Sequence, residues 1–437
     1  MTFTVDVHQN EDLPEGAGEM HAVVTVTSEG GRTPSATAEK AVVLVVDTSG
    51  SMEHPGTKIR AARRAAARAI EVLPKGTLFA LVAGTHQAQV VYPPRGHDLA
   101  RADARTRADA VAATRRLRAE GGTAMSTWLD CARRLLEPHA DAIRLAYLMT
   151  DGKNESERPE LLDMAISRAA GVFQCDARGV GEDWLVTELR KISTALLGDL
   201  DIIAEPEEME QDFQRFMDRA IGKDIADVRI RVWSPNGATL RFIRQVAPSI
   251  DDLTGRGTPA THLATDYPTG AWAGKESRDY HVCVDLSPAE VGEEKLAARV
   301  SLIVGEQVAG QGLVRAVWTD DLARSTRINR RVAAYTGQTE MAQDIESGVA
   351  AFEAGDHETA RLRLGRAVLQ ASATGNDPTL KLLRNVVEID DAPTGRVRLK
   401  PEVERRALLT LVTRSARTVR LGGAKVPPAA GDDEAGR

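Results

Sequence analysis

The chain has 437 residues, a formal net charge of −7, 42% hydrophobic residues and 27% charged residues. That length exceeds what one hydrophobic core fills, so two or three domains are predicted, and the negative balance argues against nucleic acid as a general partner. No apolar run approaches the roughly 20 residues that span a bilayer. The opening MTFTVDVHQNEDLPEG lacks the basic start and apolar centre of a secretory leader. Cys131, Cys175 and Cys283 are odd in number and lack zinc spacing, so they read as small core residues of a cytoplasmic protein.

Phe3, Val5 and Val7, then Ala22, Val24 and Val26, alternate with polar residues and predict two strands within residues 1–36. Two strands do not stand alone in water. Ala41 to Met52, AVVLVVDTSGSM, follows: an unbroken apolar run predicts a parallel strand buried on both faces. Asp47, Ser49 and Ser51 lie at alternate positions just past it. In open α/β sheets ligands sit at the carboxyl ends of strands, so these oxygens are predicted at a rim where a hard metal ion can reach them. By themselves, Asp, Ser and Gly there also suit an ordinary turn.

The next helix has an apolar face of Ile59, Ala62, Ala66, Ile70 and Leu73; its basic residues Lys58, Arg60, Arg63, Arg64 and Arg68 read as the solvated side. Thr77–Ala83 and Ala88–Tyr92 predict strands, and Asp98–Ala119 a basic, alanine-rich helix. Gly121-Gly122-Thr123 then opens a helix with Met125, Leu129, Ala132 and Leu136 on one face, which places the Thr123 hydroxyl on a glycine loop. Ile143–Met149 is a further apolar strand, ending at Thr150-Asp151-Gly152. A helix over Pro159–Ala170, a strand around Gly171–Cys175, a loop at 179–184, helical spacing in Leu185, Leu189, Ile192 and Leu196, a strand over Leu200–Ala204 and a helix carrying Met209, Phe213, Phe216 and Ala220 complete the alternation. Such alternation predicts a doubly wound, mostly parallel sheet.

Asp47-Thr48-Ser49-Gly50-Ser51, Thr123 and Asp151, in that order along the chain, resemble the metal-ion-dependent adhesion site of the von Willebrand factor A family. The resemblance covers residues 40–224. It implies direct coordination of Mg²⁺, with Mn²⁺ or Ca²⁺ as alternatives, by Ser49 and Ser51. Asp47 and Asp151 would act largely through water, and Thr123 directly in one state and through water in another. A cation whose direct protein ligands are mostly neutral hydroxyls stays electron-poor and accepts a carboxylate from outside. The implied partner is therefore a protein presenting Asp or Glu. Met52, His54, Lys153 and Asn154 neighbour the ligands in sequence and are expected to form the partner rim.

Enzyme signatures are missing from the sequence. A haloacid dehalogenase phosphatase needs a second Asp where Ser49 stands, neither Ser49 nor Ser51 lies in a G-x-S-x-G elbow, and HExxH, P-loop and GxGxxG patterns are absent. A non-enzymatic interaction module is expected. The alternatives are a hydrolase using the same ion, with Asp151 or His54 as base, and a scaffold whose helical domain binds the partner.

Beyond the metal domain, Val228-Ile230-Val232, Leu240-Phe242, Tyr280-Val282-Val284-Leu286, Val300-Leu302-Val304 and Val314-Ala316-Trp318 show period two. Pairing of these strands, in residues 225–320, with the N-terminal ones would make a β-sandwich into which the metal domain is inserted. Residues 321–420 turn helical, with an A-x-x-x-F-x-x-G-D-x-x-x-A hairpin similar to a single tetratricopeptide unit; solenoids need about three. Residues 421–437 read as a disordered tail, and the basic stretch from Arg396 to Lys425 offers only a weak case for nucleic acid. The whole arrangement resembles bacterial cytoplasmic proteins whose partners are often ATPases, kinases or phosphatases of the same operon.

Overall fold

The structure, a computed structural model, describes residues 2–30, 39–54, 56–94 and 98–420. The predicted tail at 421–437 lies outside the described residues. At the centre is a sheet in the order Leu200–Ile203, Gln174–Val180, Ile143–Thr150, Lys40–Asp47, Leu78–Gly84, Gln89–Tyr92. The first five strands are parallel and the last is antiparallel, with the short strand Ala100–Arg101 also pairing Leu78–Gly84.

The period-two geometry of a strand explains why Ala41 to Val46 is apolar at every position. Val42, Leu44 and Val46 enter a core shared with helices Thr57–Glu71 and Met209–Gly222, while Ala41, Val43 and Val45 enter the opposite core, built on Met125–Leu136, Pro159–Ala169 and Val186–Ala195. Parallel register then aligns the strand ends. Asp47 stands opposite Gly84, Val46 opposite Met149, and Thr150 opposite Gly179. At both glycines a buried indole covers the backbone, Trp128 over Gly84 and Trp184 over Gly179, each so close that a β-carbon would collide with the ring.

The flanking strands form a β-sandwich around this domain. Glu19–Glu29 pairs Thr2–Gln9 on one side and Glu276–Leu286 on the other, so residues before and after the doubly wound domain share one sheet with Ala238–Ala247 and Asp251–Asp252. The second sheet runs Thr258–Thr261, Ala264–Ala273, Lys223–Trp233, Glu294–Val304, Gln307–Thr319, Asp12–Pro14. Val24, Val26, Val282 and Val284 of one sheet meet Ile230, Val232, Val300, Val314, Trp272 and Trp318 of the other.

Several boundaries differ from the sequence reading. The helix expected over Asp98–Ala119 is broken: Asp103 and Thr106 form a reciprocal cap, the helix runs only Ala104–Ala113, and a tighter turn covers Thr114–Arg116. The strand expected around Gly171–Cys175 lies at Gln174–Val180. Charges at Asp176 and Arg178 hid it, because the fully buried Arg178 is compensated by Asp212 at 2.8 Å and Asp199 at 3.2 Å. Ala264–Ala273 was missed because its buried positions, Asp266 and Thr269 among them, break the apolar alternation. The C-terminal region is not purely helical. Val387–Asp391 and Arg396–Leu399 form a hairpin turned at Gly395, whose φ of +68° suits glycine, and its backbone packs closely against Gly365 of helix His357–Ala373. The preceding helix, Arg330–Glu353, reaches the sandwich: Tyr335 packs with Val23, Val246 and Ala247. Basic residues of the last segment are ion-paired within the chain, Arg398 with Asp390, Arg406 with Glu205, and Arg414 and Arg417 with Asp201.

Candidate metal centre

Three backbone segments are tied together at the sheet rim. The Thr48 N–H donates to Gly84 O (2.8 Å), Gly50 N–H to Gly121 O (2.9 Å), and Glu120 N–H to Thr48 O (2.8 Å). Gly121 adopts φ +73°, and its backbone approaches the His86 ring so closely that a β-carbon would lie 2.7 Å from Nδ1. The Thr123 N–H donates to Ser156 Oγ (3.0 Å), and the Ser156 N–H donates back to Thr123 O (3.0 Å). These contacts present the hydroxyls of Ser49, Ser51 and Thr123 to one cleft of about 350 Å³, which Lys153, Glu155 and Asp183 also line.

The side-chain network is continuous. Ser49 and Ser51 hydroxyls are 2.9 Å apart, and Ser51 Oγ donates to Asp151 Oδ1 at 2.6 Å. Asp47 Oδ1 accepts from the Ser49 N–H at 2.7 Å, and its Oδ2 accepts from the Thr150 hydroxyl. Both carboxylates are fully buried. Burial pushes the Asp47 carboxyl up to about 6, against the hydrogen bonds from Ser49 and Thr150 that pull it down; the neighbouring Asp151 charge adds to the rise. Among the described residues Asp47 has no cationic partner; its oxygens are taken by the Ser49 N–H and the Thr150 hydroxyl, so it backs the loop while the three hydroxyls line the cleft itself. Gly152 gives this space a measure. A β-carbon there would lie 3.4 Å from Ser51 Oγ, 3.4 Å from Thr123 Oγ1 and 3.9 Å from Ser49 Oγ. The donor set is oxygen throughout, which matches a hard divalent ion.

The rim differs in part from expectation. His54 is exposed and Lys153 lines the cleft, but Met52 is fully buried in the helix-packed core beneath the loop. Asn154 is also buried: its Oδ1 accepts from the Met125 N–H at 2.8 Å, and Glu157 accepts from the Ser126 N–H. These two acceptors satisfy N–H groups at the start of helix Met125–Leu136, so Asn154 shapes the site from behind. Adjacency in sequence to Lys153 does not bring its side chain to the opening.

Lys58 does not lie on the solvated helix face that the sequence predicts for it. It is buried instead, with Nζ 2.7 Å from Asp151 Oδ2. A signal existed. Side chains in a first helical turn point back toward the segment that starts the helix, and a cation there opposes the helix dipole unless an acid meets it. Thr150, Glu155, Ser156 and Asp183 were likewise not singled out.

A larger cavity of about 760 Å³ lies where the doubly wound domain, the sandwich and helix Arg405–Ser415 meet, and it shares no lining residue with the cleft of the hydroxyl cluster. Its charged walls largely pair with one another, Arg219 with Asp176 and Lys223 and Arg278 with Glu276. It is read as an interdomain seam.

Residues 42–153 match the family model described as von Willebrand factor type A domain, and residues 370–415 that of the von Willebrand factor type A C-terminal domain. No curated protein matches the chain. A solved structure described as von Willebrand factor type A from Catenulispora acidiphila is 47% identical, with 96% of this chain and 97% of that one covered and a TM-score of 0.91. The ArnB paralog VWA2 from Sulfolobus acidocaldarius shares the fold at 11% identity, with 95% and 98% coverage and a TM-score of 0.56. With near-complete coverage at that higher identity, and the strand-end hydroxyl cluster on the matched segment, the chain belongs to the von Willebrand factor type A family.

Proposed function

We propose that this protein is a metal-dependent protein-interaction module. Mg²⁺ would be held by the hydroxyls of Ser49, Ser51 and Thr123, with Asp47 and Asp151 acting through water and hydrogen bonds. The observation that carries this reading is the convergence of those three hydroxyls on the open space beside Gly152. When bound, the ion supplies an electron-poor centre that accepts a carboxylate from a partner's Asp or Glu.

The chain's own residues set how strongly it does so. Ser51 Oγ donates to Asp151 Oδ1, and the Lys58 ammonium holds Oδ2, so both oxygens of that carboxylate are engaged by protein groups. This arrangement keeps direct negative charge off the ion and leaves Asp151 unsuited to act as a general base. His54 is exposed just after the loop and meets the cluster through its backbone, its N–H donating to Ser51 O at 3.0 Å. Lys153, Glu155 and Asp183 present mixed charge around the opening and would discriminate among partners. No helix of the described residues is long and apolar enough to cross a membrane. The reading places the protein in a bacterial cytoplasm with an operon-encoded ATPase, kinase or phosphatase as the class of partner.

Affinity capture from the source lysate tests it, using wild type and Ser49→Ala/Ser51→Ala full-length protein, each with Mg²⁺ and with chelator. Proteins lost in both the variant and the chelated sample support the reading. Capture that ignores metal and variant alike overturns it in favour of binding through the helical region. Metal-dependent turnover of phosphoesters or peptides abolished by Asp47→Ala would replace it with a hydrolase.

A further inference from the structure

We propose a second metal site, of zinc type, on the outer face of the β-sandwich, formed by Glu19, His21 and Cys283. Glu19 and His21 belong to strand Glu19–Glu29 and Cys283 to Glu276–Leu286, where antiparallel register sets Cys283 directly opposite His21. Met20, Ala22 and Val24 fill the sandwich core, so the alternate residues Glu19 and His21 face outward.

Three different donor atoms converge there, all within 4.8 Å of one another. Glu19 Oε1 is 2.7 Å from His21 Nε2 and 3.5 Å from Cys283 Sγ, and that sulfur is 3.9 Å from His21 Nε2. Around tetrahedral zinc, with bonds of about 2.0 Å to N and O and about 2.3 Å to S, neighbouring ligand atoms stand about 3.3–3.6 Å apart. The Sγ–Oε1 distance matches that spacing, the Sγ–Nε2 distance has to close by about 0.4 Å, and the Glu19–His21 pair has to open by about 0.6 Å as an ion replaces the proton between the two atoms.

The supporting contacts are those that orient ligands at built sites. Arg241 engages Glu19 Oε2, which leaves Oε1 facing the histidine and the thiol. His21 Nδ1 lies 3.0 Å from His281 Nε2. In the tautomer that donates Nδ1–H to His281 Nε2, the Nε2 of His21 offers its lone pair. Binding requires the thiol to give up its proton, since the thiolate is the ligand. A carboxylate, an imidazole and a thiolate select zinc or cobalt over magnesium. With three protein ligands and a half-exposed Glu19–His21 edge, the fourth position falls to water.

The test titrates Co²⁺, then Zn²⁺, into reduced full-length protein carrying Ser49→Ala/Ser51→Ala, so that the hydroxyl site does not contribute. A thiolate-to-cobalt charge-transfer band that saturates at one ion per chain, is displaced by Zn²⁺, and weakens at least tenfold in affinity with His21→Gln is the expected result. Cys283→Ala should remove the band, with circular dichroism verifying its fold; His21 is partly exposed, so His21→Gln keeps the test decisive if the buried cysteine variant does not fold. Absence of the band, or a band and zinc stoichiometry unchanged by His21→Gln, overturns the proposal.

Discussion

Lys58→Met isolates the electrostatics of the hydroxyl site. The lysine side chain is 10% exposed and its partner Asp151 is fully buried, at 2.7 Å. Removing one member of such a pair leaves the other charge buried and uncompensated, at a cost of about 3–5 kcal/mol. For a domain of 150–250 residues this corresponds to a melting temperature lower by about 6–20 °C. The loss is greatest in metal-free protein. A saturating ion at a hundredfold excess over its Kd adds about 2.7 kcal/mol to any folded state that binds it, and in the variant the ion meets Asp151 without a competing ammonium. Scanning calorimetry in chelator and in Mg²⁺ should show a large deficit in the first, and a Mg²⁺-induced rise that exceeds the wild-type rise by at least ~1 kcal/mol, about 2–4 °C. An unchanged melting temperature in chelator would refute the buried pair. Equal Mg²⁺ shifts in the two proteins would refute the link between Lys58 and the ion.

Gly152→Ala places a methyl among the three hydroxyls at ordinary contact distances; Mg²⁺-dependent stabilisation should vanish, while stability in chelator changes by less than about 1 kcal/mol, as denaturant titration would report. Gly179→Ala drives a β-carbon to 2.0 Å from the Trp184 ring and should cost about 1–3 kcal/mol, or more, through overpacking at the strand end, visible as a lower melting temperature and altered tryptophan fluorescence. Asp212 provides a pH test. Burial raises its carboxyl, but Arg178, Tyr147 and Arg215 outweigh that and hold it below the ordinary carboxylate value. Its stabilisation is therefore complete above the unfolded-state value near 4 and is lost as pH falls through the depressed folded value. Acid titration of wild type should show this loss below about pH 4, and Asp212→Asn, less stable at neutral pH, should show a shallower acid limb; identical limbs would exclude the Arg178 network as its source.

The hydroxyl-bearing loop was legible in the sequence because its chemistry is local. An unbroken apolar strand announces burial on both faces, and Asp47, Ser49 and Ser51 directly after it fix an oxygen-rich rim. The glycine loop at Thr123 and the strand end at Asp151 were legible for the same reason, as was the alternation of strands and helices that defines the sheet. Pairing of Glu19–Glu29 with Glu276–Leu286 could be anticipated because two strands need partners, although no local pattern gives their register. What the tertiary structure alone decided concerns polar groups inside the protein. Arg178 could occupy a central strand only because Asp199 and Asp212, from elsewhere in the chain, neutralise it there. Lys58 turned inward because Asp151 waits almost a hundred positions later, and Asn154 turned away from the cleft because a helix start required an acceptor. Apolar periodicity is written residue by residue along a segment. The partner that makes a buried charge tolerable is set by distance in space, which one segment's pattern does not contain.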